Sequence, residues 1–316
     1  LYMWISRPPR GKTFRQKNIA QEDLYKAKVL TYSLDVHFTQ TLPSLATPRI
    51  MGILNVTPDS FSDGGEFFSQ GKALERALEM ERQGADIIDV GAESTRPGAE
   101  PVREAEELER LLPVIRSIRS RTKIPISIDT TKPTVARAAL EAGADIINDV
   151  DGLKAAYEMA PLAREFEAGL ILMHRRGTPE TMQQLTQYED VVEEVFEELD
   201  QSLERVLAAG VPADQIVLDP GIGFAKPTEQ NLEILARLKR FHSWGRPVLA
   251  GPSRKSFIGA LIGKPPRERD WGSAAAVALA VANGAQLVRV HPVEGMSDVI
   301  RVAEAIGSGR AQNVRS

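Results

Sequence analysis

Several apolar runs in this chain end in polar side chains, and those side chains fall into two chemical sets. Asp129, Asn148 and Asp219 each close an apolar run. A carboxylate in that position calls for a partner with two parallel N–H donors, as arginine or the guanidine-like edge of a heterocycle presents. An amide offers a donor and an acceptor side by side. The second set is cationic: Lys255, Arg289 and His291 lie near the last two runs. Arg289 can take phosphate oxygens in pairs, and the helix start after Ser253-Arg254-Lys255-Ser256 adds backbone donors for an anion. A blander alternative stays open in each set. Asp219 can pair internally with Lys255, and Lys255-Ser256 can be only a helix N-cap region. Asn55, at the end of the first run, supplies an amide oxygen. With Asp63 on the polar loop beyond it and a substrate diphosphate, it can hold Mg²⁺, which takes few protein ligands and keeps phosphate or water oxygens. The remaining run ends carry Glu93-Ser94-Thr95-Arg96-Pro97, Asp149 and His174.

Positioning these groups requires a regular frame. From Arg49 onward, apolar strands alternate with amphipathic helices. The pattern predicts strands at 50–54, 87–90, 126–128, 146–147, 170–173, 216–218, 248–250 and 287–290. It predicts helices at 72–83, 104–119, 133–141, 156–167, 190–209, 229–238, 272–283 and 297–306. Three junctions are near copies: Gly84-Ala85-Asp86-Ile87-Ile88-Asp89, Gly143-Ala144-Asp145-Ile146-Ile147-Asn148 and Gly284-Ala285-Gln286-Leu287-Val288-Arg289. In each, a glycine ends a helix in the left-handed conformation that suits it, and a buried strand follows. Serial β-α units favour an α/β fold of the (β/α)₈ TIM-barrel type over a doubly wound sheet. Such barrels place the active site at the C-terminal ends of the strands, often with phosphate at the loops after strands seven and eight. The polar run ends then share one face. The stretch 49–65 becomes the first strand plus a mobile lid, with Pro58 and Gly64-Gly65 shaping the loop.

Composition narrows the class further. The chain has 316 residues, 42% hydrophobic and 26% charged, and a net charge of −4. That balance suits a globular fold and argues against general nucleic-acid binding, while a few local cations suffice for a small phosphorylated substrate. No cysteine is present, which excludes disulfides, thiolate metal sites and a cysteine nucleophile and suits a reducing cytoplasm. His37, His174, His242 and His291 are too scattered for a zinc motif. The longest apolar run, 274–282, falls far short of the ~20 residues that a membrane-spanning helix needs. No linker splits the repeating region, so the expected organisation is an N-terminal extension at 1–47, one barrel at 48–308 and a tail at 309–316. Within the extension, the basic stretch 1–28 reads as disordered or a start-site artefact. A targeting peptide is the alternative, although no apolar h-region for secretion is visible. Residues 28–38 read as a short strand or hairpin, lying with 39–47 across the bottom of the barrel.

Seven motifs together resemble the dihydropteroate synthase family: NVTPDSFSDGG at 55–65, ESTRPGA at 93–99, SIDT at 127–130, IND at 147–149, LDPGIGF at 218–224, SRKSF at 253–257 and RVH at 289–291. Any one is weak, but all seven follow in the family's order and spacing. The resemblance implies that p-aminobenzoate is joined to (7,8-dihydropterin-6-yl)methyl diphosphate, giving 7,8-dihydropteroate and diphosphate. By matching position, Asp129, Asn148, Asp219 and Lys255 are the implied pterin contacts. Asn55, Arg289 and His291 are the implied diphosphate and Mg²⁺ contacts, with Asp63 on the first loop. Thr95, Pro97, Phe224 and Ser256 form the implied p-aminobenzoate pocket, with Thr95 also reaching the pterin diphosphate. The catalytic set is then Asp129, Asp219, Lys255, Arg289 and His291. The family's dissociative mechanism, its loop closure and a homodimer are implied as well. The chain departs from the family pattern at Arg175, Ala225 and Pro292. The rival readings are a pterin-dependent methyltransferase barrel, which has no need of SRKS with RVH or of the 55–65 loop, and a catalytically silent binding barrel, which has no need of the charged set.

Overall fold

Side chains alternate between the two faces of a β-strand, and here that alternation builds two separate cores. A computed structural model describes residues 45, 47–57, 66–94 and 99–309, all within one unit, His37–Ser316. Asp63, Thr95 and Pro97 lie outside these residues, as do the expected 28–38 hairpin and all of the tail except Gly309. The strands are β1 Arg49–Asn55, β2 Ile87–Gly91, β3 Ile126–Asp129, β4 Ile146–Asp149, β5 Gly169–Met173, β6 Ile216–Asp219, β7 Leu249–Ala250 and β8 Leu287–Val290. All neighbours pair in parallel. The order is β6-β5-β4-β3-β2-β1-β8-β7, and a parallel bridge between Leu218 and Val248 joins the two ends. This is a (β/α)₈ barrel.

One side-chain set faces inward. Met51, Ile87, Ile146, Ile171, Val217, Leu249 and Leu287 form a buried cluster of their own, and Leu45 joins it. Fully burying an aliphatic side chain of this size is worth ~1.5–3 kcal/mol, so this layer holds the strands in register. Residues of opposite parity, among them Ile50, Ile88, Ile126, Ile147, Leu170, Ile216 and Val288, pack outward into the larger helix-facing core. Two positions beyond the inner layer, the same inward direction brings Asp89, Asn148, Met173, Asp219 and Arg289. Asp129 follows Ser127 in the same way. The strand period therefore places a polar ring on top of an apolar floor.

The helices are α1 Glu66–Arg82, α2 Glu104–Arg119, α3 Pro133–Glu141, α4 Ala155–Glu158, α5 Ala160–Glu165, α6 Val191–Ala208, α7 Thr228–Ala236, α8 Ser256–Ile262, α9 Asp270–Ala282 and α10 Glu294–Ser308. The three near-copy junctions behave alike: Gly84, Gly143 and Gly284 have φ of 99°, 110° and 96°. The predicted 156–167 helix is instead two short pieces, α4 and α5. Pro161 lies in the first turn of α5, where its fixed φ starts a helix but cannot continue one. The predicted 229–238 helix stops at Ala236 and a 3₁₀ segment, Leu238–Trp244, follows. The sequence pattern anticipated only the start of α8, because seven residues give too few turns for a periodicity signal.

Leu45 is 3% exposed and packs with the inner layer of the barrel. Leu45→Ala is expected to lower unfolding free energy by about 2–5 kcal/mol in urea titration. A loss below about 0.5 kcal/mol, the range of surface substitutions, would contradict its place in the floor.

Candidate active site

The polar ring is organised by one guanidinium. Arg289 donates from Nε to Asp89 Oδ2 at 2.6 Å and from Nη2 to Asp129 Oδ2 at 2.7 Å. Asp89 also accepts from Asn148 Nδ2, at 3.3 Å to Oδ1. The side chain of Asp89 is wholly buried, and that of Asp129 is 9% exposed. One cation thus serves two buried carboxylates, and the group carries a net negative charge. The balance shows at Asp129. Burial pushes its carboxyl up to about 7, Arg289 opposes the shift, and Asp89 and Glu107 reinforce it. Arg289 itself is held firmly protonated: burial works against the charge, but Asp89 and Asp129 outweigh it. Gly91 makes this arrangement possible on β2, because a Cβ there would come within 3.2 Å of the Cβ of Asp129.

Asp219 stands at the end of β6 and is 6% exposed. Burial lifts its carboxyl to about 6, against a hydrogen bond from Gly221 N and the charges of Lys255, Lys226 and Arg289. That backbone bond is 2.7 Å long. Lys255 occupies the N-cap of α8, so the bland N-cap reading of Lys255-Ser256 is right about position. Its ammonium nonetheless lies 3.8 Å from the centre of the Phe224 ring, a cation–π contact. Phe224 is buried with Val150, Met173, Met182 and Ala225, and Ser256 opens α8 on the exposed side. His291 pairs through Nδ1 with Ser253 Oγ at 3.0 Å, which ties the loops after β7 and β8 together. Asn55 ends β1, partly exposed, opposite Gly91.

The structure thus brings Asp129, Asn148, Asp219, Lys255, Arg289 and His291 to one end of the barrel. It also refines two expectations. The paired grip expected between Arg289 and phosphate is made with Asp89 and Asp129, so a ligand would meet its other nitrogen, Nη1. His174 follows β5 but does not join the ring; it is fully buried and bonds to Glu198 on α6 and to Lys226.

These features sit within a wider likeness. The model of the pterin binding enzyme family matches residues 51–291. The dihydropteroate synthase of Synechocystis sp. is 51% identical over 258 residues, covering 81% of this chain and 89% of the relative. The chain belongs to the dihydropteroate synthase family. Among solved structures, the Yersinia pestis dihydropteroate synthase with a sulfonamide drug superposes with a TM-score of 0.79 at 39% identity, covering 86% of this chain and 98% of that one. The Xanthomonas albilineans dihydropteroate synthase with 4-aminobenzoic acid gives a TM-score of 0.79 at 43% identity, covering 84% and 95%.

Within this dihydropteroate synthase barrel, Asp89 is a site residue that the motif reading missed. A signal was present, because Asp89, Asn148 and Arg289 are the sixth residues of the three near-copy junctions, and these three side chains bond to one another. A second missed network supports the β2–α2 loop. Lys132 at the N-cap of α3 is ion-paired with Glu93 and with wholly buried Glu107, and Thr130 donates to Glu107 at 2.7 Å. Of the departures from the family pattern, Ala225 takes a left-handed φ of 51°, a conformation that costs an L-residue roughly 1–2 kcal/mol. Arg175 is buried and lies 3.7 Å from Asp151.

Asp89→Asn removes a like charge beside Asp129 and so favours its ionised form. In a pH profile of kcat/KM, the acid limb, near pH 7 for Asp129 in the wild type, is expected to move to lower pH in this variant. An unmoved limb would contradict the charge sharing described above.

Proposed function

We propose that this chain is a dihydropteroate synthase, condensing p-aminobenzoate with (7,8-dihydropterin-6-yl)methyl diphosphate to give 7,8-dihydropteroate and diphosphate. The observation that carries the reading is the buried, net-negative ring around Arg289 with Lys255 and His291 at the same end of the barrel, in a chain that matches 89% of a dihydropteroate synthase relative. A pterin presents a guanidine-like edge, and a carboxylate accepts two parallel donors from such an edge. Asp219 takes that role. Asn148 spends its amide N–H on Asp89, which leaves its carbonyl oxygen as the natural acceptor for a ring N–H.

The reaction breaks the bond between the pterin methylene and the diphosphate oxygen, and the electron pair leaves with diphosphate. Positive charge then spreads into the dihydropterin ring, where ionised Asp129 and Asp219 stabilise it. Lys255, His291 and Nη1 of Arg289 stabilise the departing anion, and fixed charges of this kind are most effective where water is excluded. The neutral arylamine nitrogen forms the new C–N bond and then releases one proton. Thr95, Pro97, Phe224 and Ser256 would bound the arylamine site. Closure of the 55–65 and 93–99 loops would keep water from the cationic carbon.

Mg²⁺ fits this site as a companion of the diphosphate. Among the described residues, no three His, Asp or Glu side chains group as a metal cage. Asn55 offers one neutral oxygen at the mouth, matching an ion that keeps mostly phosphate and water oxygens. Asn55 and Asp63 would hold it, and it would neutralise charge on the leaving group.

A homodimer is the assembly proposed here, and the outer helices support it. Trp271 and Leu279 on α9 are 87% and 61% exposed, and Val302 and Ile306 on the adjacent α10 are 58% and 76% exposed. Apolar side chains exposed together in this way mark association surfaces. The reducing cytoplasm suits a chain without cysteine.

The purified protein is expected to release diphosphate only when the pterin diphosphate, p-aminobenzoate and Mg²⁺ are all present. A colorimetric diphosphate assay with one component omitted at a time checks this. No product with all three present would sink the reading.

A further inference from the structure

Behind the polar ring lies a buried cation for which the reaction has no use. Lys226 is 4% exposed. Its Nζ lies 2.8 Å from the carbonyl oxygen of Phe224, 3.1 Å from that of Gly221 and 3.0 Å from His174 Nδ1. Three acceptors match the three N–H donors of an ammonium. His174 must then accept at Nδ1 and donate from Nε2, and Nε2 lies 3.0 Å from Glu198 Oε2. Burial lowers the His174 pKa to about 4, so the ring is neutral. Burial works against the Glu198 carboxylate, but the bonds from His174 and Arg176 hold its pKa down to about 2. The result is a buried chain running from ammonium through imidazole to carboxylate.

This chain grips one short loop. Residues 221–225 contain three left-handed positions: Gly221 at 71°, Gly223 at 85° and Ala225 at 51°. A Cβ on Gly221 would collide with the carbonyl oxygen of His174, so the loop lies directly on the end of β5. Backbone of this kind persists only where its surroundings hold it. Asp219 is fixed by its strand and Lys255 by its helix. Phe224, whose ring carries the Lys255 ammonium at 3.8 Å, is carried by the loop, which Asn231 also holds through Gly223 N at 2.6 Å, and its ring packs on Val150, Met173 and Met182.

We propose that Lys226 is a positioning residue for the arylamine half of the site, holding the 221–225 loop by its carbonyls so that Phe224 is set against Lys255. The inference rests on the synthase reading above. It separates the two substrates: the pterin side is built on strands and a helix, and the arylamine side depends on Lys226. It also ties arylamine binding to pH. Burial lowers the Lys226 pKa to about 7; Asp219 and Glu198 oppose that shift, and Arg176 and Lys255 add to it. These are the charges facing it from β6, α6, the loop after β5 and the N-cap of α8. Loss of a proton removes one of the three donations and loosens the loop.

The test is steady-state kinetics and equilibrium binding on the full chain. Lys226→Met is expected to raise KM for p-aminobenzoate by about tenfold or more, a shift typical of a misplaced binding group. The Kd of the pterin diphosphate, measured calorimetrically, should stay within about twofold. Glu198→Gln keeps an acceptor for His174 on a side chain that is 30% exposed, and it provides the test if Lys226→Met does not fold. In the wild type, KM for p-aminobenzoate should rise through about pH 7, and in Glu198→Gln that rise should begin at lower pH. An unchanged p-aminobenzoate KM in Lys226→Met, an equal loss of pterin affinity, or an unmoved profile in Glu198→Gln would overturn the proposal. A wild-type chain that turns over none of the complete mixture overturns the synthase reading instead, and the proposal falls with it.

Discussion

One guanidinium shared between two buried carboxylates is the constraint on which the rest of this site depends. Arg289 cannot leave the barrel without abandoning Asp89 and Asp129 together, and neither carboxylate has another cation within hydrogen-bond reach among the described residues. Two like charges in a dry interior are strongly unfavourable without such a bridge. The bridge crosses from β8 to β2 and β3, so it also locks strands on both sides of β1. The excess negative charge it leaves is useful. In the proposed reaction, a pterin that becomes cationic would meet a site already short of positive charge, and no group would have to move to provide that field.

The scaffold divides the work by stiffness. Strands carry the carboxylates and the amide, Asp89, Asn148 and Asp219 each two residues above the apolar floor and Asp129 two above Ser127. The N-cap of α8 carries Lys255, and the Ser253–His291 bond links the last two loops. The proposed arylamine side, apart from Ser256 on α8, rests on loops instead. The 221–225 loop is braced from behind by Lys226, and the β2–α2 loop is braced at its base by Glu93, Lys132 and Glu107. The group that stabilises charge suits the strands.

Much of this was legible because strand period and helix period are simple. The eight strands, the barrel and the facing set Asp129, Asn148, Asp219, Lys255, Arg289 and His291 follow from runs of Ile, Leu and Val that end in polar residues. Asp89 escaped because it lies inside an apolar run and in none of the seven motifs, whereas Arg289, at the same place in its run, stands in RVH; the repeated junction pointed to both. Lys226 and His174 could not be assigned in this way. The partners of Lys226 include two backbone carbonyls, and carbonyls carry no residue signature. His174 reads as one more strand-end group until the fold shows it turned toward α6. Pro161 broke an expected helix for a local reason that the residue itself announces.

The central claim is that Arg289 and Asp89 act as one unit, and a double-mutant cycle on unfolding free energy tests it most directly. Arg289→Met alone leaves buried like charges and is expected to cost about 3–5 kcal/mol. Combining it with Asp89→Asn should recover part of that loss, with a coupling above about 1 kcal/mol between the two sites. Additivity within about 0.5 kcal/mol would show the two side chains to be independent and would contradict the account.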